Sequence, residues 1–176
     1  MGRIVEALRE WLATDDKVTP LKTLQGQIWE HGFAAGDLVG YLFPDAVAAL
    51  RAWHAAGHEL YVFSSGSVAA QRAWFGHSTD CDLRPLLSGY FDTETAGPKR
   101  VADSYRRITA AIGVDPAHTV FLSDHLGELD AARAAGWHTV RVRRPGEPNS
   151  AADGAGHLEV ATLTGVDLSG DVPVAR

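Results

Sequence analysis

Three short apolar runs dictate what this chain can fold into. Leu60-Tyr61-Val62-Phe63, Thr119-Val120-Phe121-Leu122 and Thr139-Val140-Arg141-Val142 are rich in β-branched and aromatic residues. The first stops at Ser64-Ser65-Gly66-Ser67, the second at Ser123-Asp124 and the third at Arg143-Arg144-Pro145-Gly146. A helix is predicted after the first run, to about Phe75. Residues 99 to 112 and 127 to 135 also have helical periodicity, closed by Gly113 and Gly136. Strands alternating with helices predict an α/β fold with a parallel sheet covered on both faces.

Upstream of the first strand the pattern is helical throughout. Ile4, Val5, Leu8, Trp11 and Leu12 place one apolar face on a helix over residues 2 to 14. Thr19 as N-cap and Pro20 at the first helical position start a second, which runs through Leu21, Leu24, Ile28 and Trp29 to about Glu30. After a Gly-rich stretch from Gly32 to Gly40, Pro44-Asp45 opens a third helix that carries Val47, Leu50 and Trp53 and ends at Gly57. Downstream, residues 146 to 157 read as a loop and Leu158 to Leu163 as a weak strand. The last dozen residues have little to bury and are expected to be mobile.

Composition narrows the class of function. Sixteen Lys and Arg against 22 Asp and Glu give a formal charge of -6, a field that repels nucleic acid and acidic membranes. No run approaches the roughly 18 apolar residues that span a bilayer. The first ten residues are no signal peptide, and Glu6 stands where myristoylation wants Ser or Thr. A single cysteine, Cys81, fits a reducing cytosol, so a cytoplasmic, soluble protein is expected. The 176 residues can bury about 70% of their extended surface without disulfides or a structural metal. The tryptophans at 11, 29, 53, 74 and 137 are expected in the core.

In an open α/β sheet ligands bind beyond the carboxyl ends of the strands, which singles out Ser64, Ser65, Gly66 and Ser67 and, one helix-strand unit on, Ser123-Asp124. Small hydroxyls and a glycine at a helix N-terminus suit a phosphate; plain N-capping by Ser67 is the alternative. Asp124, with Glu128 four residues on, offers the hard oxygens that Mg²⁺ prefers, and again helix capping is the alternative. Lys99 follows Gly97-Pro98 at the predicted start of a helix, where a cation opposes the macrodipole; a bound phosphate or a solvated Lys-Arg pair both account for it. The serine-hydrolase elbow is absent, and His54 and His58, separated from a common face by Gly57, lack a third zinc ligand.

Taken together, Val62-Phe63-Ser64-Ser65-Gly66-Ser67-Val68-Ala69-Ala70-Gln71, Phe75-Gly76-His77-Ser78, Gly89-Tyr90-Phe91-Asp92-Thr93, Lys99 and Phe121-Leu122-Ser123-Asp124 closely resemble the enolase-phosphatases of methionine salvage, the acireductone synthases of the haloacid dehalogenase superfamily. Thr19-Pro20-Leu21-Lys22-Thr23-Leu24-Gln25-Gly26-Gln27-Ile28-Trp29 resembles that family's cap segment. The resemblance covers about residues 4 to 146. It implies a Rossmann-like core at 43-165, a partial helical cap at 1-42 and a mobile tail at 166-176. It implies a Mg²⁺-dependent conversion of 2,3-diketo-5-methylthiopentyl-1-phosphate to an acireductone and phosphate, by a monomer, with no nucleic acid or membrane partner. Ser64 would then hydrogen-bond the transferring phosphoryl group, and Ser65 and Gly66 would contact substrate. Lys99 would balance charge on nucleophile and phosphate, and Asp124 would ligate Mg²⁺ with Glu128 beside it. Gln25, Gly26 and Trp29 are candidates for contact with the methylthio tail.

One part of the family pattern has no counterpart. The superfamily's nucleophile is an aspartate ending an N-terminal apolar strand, whereas Asp15-Asp16 lies in a turn, Asp37 and Asp45 follow no apolar strand, and Asp80-Cys81-Asp82 lies downstream. The chain is therefore expected to begin inside the cap, through a misplaced start codon or a truncated gene. It is expected to lack the central strand, which would expose an edge on each neighbour or force the two together. Loss of a covalent nucleophile lowers turnover by roughly a millionfold, so no useful phosphatase activity is expected of this polypeptide alone. A non-catalytic phosphate-binding or regulatory descendant, and another phosphatase of the superfamily, are the alternatives.

Overall fold

A computed structural model describes residues 5-6, 19-150, 156-170 and 172-175. Val5 and Glu6 are helical, and the rest of the helix predicted over 2 to 14, with Trp11, lies outside the described residues. The elements in chain order are α1 (Thr19–Ala35), α2 (Pro44–Ala55), β1 (Tyr61–Phe63), α3 (Val68–Gly76), β2 (Gly89–Phe91), α4 (Ala102–Ile112), β3 (Val120–Ser123), α5 (Leu126–Ala134), β4 (His138–Val142), β5 (Leu158–Val160), β6 (Val166–Asp167) and β7 (Val174–Ala175). Thus α1 outruns its predicted end by a turn, until Gly36 in the left-handed region stops it.

The strands do not form one sheet. β1 pairs in parallel with β2, from Tyr61 opposite Gly89 to Phe63 opposite Phe91. β3, β4 and β5 form a separate parallel ladder with β4 in the middle. β1 and β3 are not paired with each other, so of the two arrangements open to them the chain takes separate ladders. What joins them is a ring stack. Tyr105 of α4, wholly buried, stands edge-on to Phe63 of β1 at 5.5 Å, to Phe121 of β3 at 5.1 Å and to Trp137 at 5.4 Å. Ile108, Ala131, Ala132 and Ala135 complete this core from α4 and α5.

A second core on the β3–β5 ladder collects Val140, Val142, Val160 and Val166, with Trp53 packed against it. Val166 belongs to the segment read as having little to bury; it is 4% exposed, and β6 and β7 pair antiparallel there. Trp53 and Trp137 take the core places expected of them, but Trp29 and Trp74 are more than a third exposed. Trp74 instead meets Phe33 edge-on where α1 packs on α3. Cys81 is exposed and unpaired. No helix among the described residues is long and apolar enough to cross a membrane.

Asp45 ties the start of α2 to the far end of the chain. It takes both Arg144 guanidinium nitrogens, at 2.9 and 2.7 Å, and the Leu163 N–H at 2.7 Å. Burial pushes its carboxyl up, but the Arg144 bonds and the Leu163 amide outweigh that and hold it below the usual carboxylate value. A depressed folded value means stability that is present above the unfolded value, near pH 4, and is lost as pH falls through the folded one. Asp45→Asn is expected to cost about 2 kcal/mol at pH 7 and to flatten the loss of stability below pH 4, as read by urea midpoints across pH.

Candidate active site

Hydrogen bonds hold Ser64, Gly66 and Ser67 of the loop after β1, and Ser65 between them is exposed. Ser64 N–H donates to Phe91 O at 3.1 Å, extending the β1–β2 ladder by one residue. Gly66 N–H donates to Ser64 Oγ at 3.2 Å. With one acceptor lone pair so occupied, the Ser64 hydroxyl keeps its own proton to donate. Ser67 Oγ accepts from Ala70 N–H at 3.2 Å, so the capping assigned to Ser67 as the alternative is what its side chain does.

Asp92 directly follows β2 and its apolar pair Tyr90-Phe91, a strand-end position that the sequence pattern alone leaves without a role. It is 5% exposed and accepts from Val68 N–H at 3.0 Å, Glu94 N–H at 3.0 Å, Thr95 N–H at 2.8 Å and the Thr95 hydroxyl at 2.9 Å. Burial pushes its carboxyl up, but these donors, Thr95 and Val68 foremost, bring it below the usual value and keep it ionised. Asp92 thereby takes the first helical N–H of α3.

Lys99 lies in a turn three residues before α4 begins at Ala102, not on the helix itself, so the macrodipole argument made for it does not apply. The turn depends on Gly97: its φ is +105°, and a Cβ there would come within 2.7 Å of Ser104 Oγ. Tyr105 Oη donates to Lys99 O at 2.7 Å, which fixes the backbone. The ammonium then stands 5.8 Å from the ring centres of both Phe63, the last residue of β1, and Phe121, the second of β3, and 2.7 Å from Glu128. Phe63 ends β1, and Glu128 also accepts from Ser123 at the end of β3, so Lys99 links the carboxyl ends of both strands.

On the β3 side, Ser123 Oγ donates to Glu128 Oε2 at 2.9 Å and accepts from His125 N–H at 3.1 Å. The Asp124 carboxylate does not cap α5. It is exposed and accepts from Asn149 Nδ2 at 2.7 Å. That loop is tethered in turn by Arg141, wholly buried and 3.0 Å from Glu159, whose guanidinium donates to Asn149 O at 2.9 Å. Among the described residues no three His, Cys, Asp or Glu side chains converge as a metal cage. One exposed carboxylate with a lone oxygen left over does fit a hydrated, hard divalent cation that keeps most of its waters. A cavity of about 190 Å³ lies elsewhere, at the amino ends of β3 and β4, lined in part by Val120 and His138.

Comparison with known proteins gives this geometry a family. A family model for haloacid dehalogenase-like hydrolases matches residues 3–136. The enolase-phosphatase E1 of Streptomyces avermitilis is 56% identical over 167 residues, 95% of this chain and 70% of that protein. The enolase-phosphatase E1 of Nocardia farcinica is 58% identical over 83% of this chain and 63% of its own length. The chain thus spans about two thirds of the length of these curated relatives. Among solved structures, the UTR4 protein of Saccharomyces cerevisiae superposes with a TM-score of 0.80 at 32% identity, over 92% of this chain and 73% of that one. CbbY of Rhodobacter sphaeroides, at 22% identity and a TM-score of 0.66, shares the fold. With its α/β architecture, its parallel strands and these relatives, the chain belongs to the haloacid dehalogenase-like hydrolases and, among them, to the enolase-phosphatase E1 family.

Proposed function

We propose that Ser64, Ser65, Gly66, Lys99 and Asp124 form the phosphate- and Mg²⁺-binding part of an enolase-phosphatase site for 2,3-diketo-5-methylthiopentyl-1-phosphate, acting in the cytoplasm. The observation that carries the reading is Lys99. Its ammonium meets Phe63, next to Ser64, and Phe121, three residues before Asp124, so one cation serves both strand ends. In this site the Ser64 hydroxyl donates to a phosphoryl oxygen and Lys99 supplies fixed positive charge beside it. Glu128 holds Lys99 in place from the β3 side, and Asn149 orients Asp124. A divalent cation at Asp124 would neutralise charge on the phosphate.

Among the described residues the carboxylates at this edge are all committed. Asp92 is buried under four donors, Glu128 is paired with Lys99, and Asp124 is the cation's ligand. None is placed to act as a phosphoryl acceptor, so the 176-residue chain should bind phosphate esters without turning them over. In an assay with Mg²⁺ and a generic phosphate ester, release of phosphate should not exceed that of a Lys99→Ala control, while the diketo ester should compete with inorganic phosphate for the wild-type chain. Failure of the diketo ester to compete would overturn the assignment of substrate. Turnover abolished by Lys99→Ala would overturn the account of the carboxylates.

A further inference from the structure

Asn149 reaches Asp124 because the β4–β5 ladder presents it. Arg141 of β4 and Glu159 of β5 stand opposite each other in the register, and Arg141 Nη1 donates to Glu159 Oε2 at 3.0 Å. The Arg141 side chain is wholly buried. Its Nη2 donates to Asn149 O at 2.9 Å, while its Nε is buried and, among the described residues, has no partner. Just past β4, Arg143 Nη1 donates to the other oxygen of Glu159 at 3.1 Å, and Arg143 Nε donates to Ser150 O at 2.7 Å. Two guanidiniums that share one carboxylate thus hold two consecutive carbonyls of the loop. A buried ion pair is often no more stabilising than apolar residues of the same size, so what this one adds is a fixed backbone at Asn149.

The amide so presented takes one oxygen of Asp124 and leaves the other. A carboxylate only accepts, so it is the NH₂ end of Asn149 that faces Asp124, with Nδ2 2.7 Å from Oδ2. Hard divalent cations treat such a carboxylate differently. Ca²⁺ takes roughly six to eight oxygens, often both from one carboxylate, whereas Mg²⁺ holds about six in a strict octahedron and keeps several as water. A cation seated on both Asp124 oxygens has to displace the Asn149 amide, and one seated on Oδ1 alone does not. We infer that Asn149 is a specificity-determining residue of the cation site, favouring Mg²⁺ over Ca²⁺ by leaving Asp124 one free oxygen, and that Arg141 is the positioning residue that keeps the amide there. The inference rests on the reading of Asp124 as the cation's ligand.

Separate titrations of the 176-residue chain with MgCl₂ and with CaCl₂, followed by the backbone amide shifts of Ser123, Asp124 and His125, test it. The wild type should bind Mg²⁺ more tightly than Ca²⁺. Asn149→Ala, at an exposed position, should shrink that preference by about tenfold, the value of one hydrogen bond to a charged group, and chiefly by tightening Ca²⁺. Arg141→Met leaves Asn149 in place and leaves Glu159 paired with Arg143, yet it should shrink the preference as well. A Mg²⁺ to Ca²⁺ ratio unchanged in Asn149→Ala, or a wild type that binds Ca²⁺ as tightly as Mg²⁺, would overturn the inference while the site stands. A ratio unchanged in Arg141→Met alone would refute the part given to Arg141. Cation-induced shifts that survive undiminished in Asp124→Asn would remove the site reading and the inference with it.

Discussion

Lys99→Ala should lower phosphate affinity by more than about tenfold and destabilise the chain by about 2 to 3 kcal/mol. The two effects have different origins. Lys99 and Glu128 are 21% and 13% exposed at the side chain, so removing the ammonium leaves a largely buried carboxylate with only the Ser123 hydroxyl as partner. An isolated charge in that position is costly, whereas the pair itself contributes little net stability once its desolvation is counted. The double variant Lys99→Ala/Glu128→Gln should therefore recover to within about 1 kcal/mol of the wild type in urea unfolding while still failing to bind phosphate. Recovery of binding in the double variant would mean that Lys99 serves only to neutralise Glu128.

The larger stability effect belongs to Tyr105. Tyr105→Ala empties a site with no exposure and removes the ring contacts that join the β1–β2 ladder to the β3–β5 ladder, so it should cost about 4 kcal/mol. Because among the described residues no backbone ladder links the two sheets, that loss should separate them and uncouple their unfolding, visible as two transitions in place of one. Tyr105→Phe keeps the rings in contact and deletes only the bond to Lys99 O, a cost of about 1 kcal/mol. Its effect should appear instead as weaker phosphate binding, because the Lys99 backbone is then no longer held. Burial, with the nearby Glu128 charge, pushes the Tyr105 hydroxyl well above its ordinary value, so it stays protonated and able to donate across the working pH range.

Much of this was legible in the sequence because it is local. Small polar residues directly after an apolar run mark the carboxyl edge of a strand, and Ser64 and Asp124 were found that way. β2 was not, since Gly89-Tyr90-Phe91 is three residues long and opens on a glycine. Its last neighbour, Asp92, was therefore quoted within a motif without its role in holding α3. Lys99 was singled out for a helix position it does not occupy, and its partner Glu128 lies 29 residues on, a pairing that no local period encodes. Asn149 reaches Asp124 from a stretch read only as a turn-rich loop, by way of the buried Arg141. The anchoring of Val166 likewise depends on β4 and β5 having already formed a face to pack on.

The claim that Ser64, Lys99 and Asp124 belong to one site is tested most directly by the coupling between phosphate and Mg²⁺. Ligands that share a site through opposite charges must strengthen each other's binding by the same factor. Inorganic phosphate titrated calorimetrically into the 176-residue chain should bind several-fold more tightly with saturating Mg²⁺ than without it, and Asp124→Asn should remove that difference while leaving Mg²⁺-free binding in place. Phosphate affinity indifferent to Mg²⁺, or a Mg²⁺ effect that survives in Asp124→Asn, would contradict it.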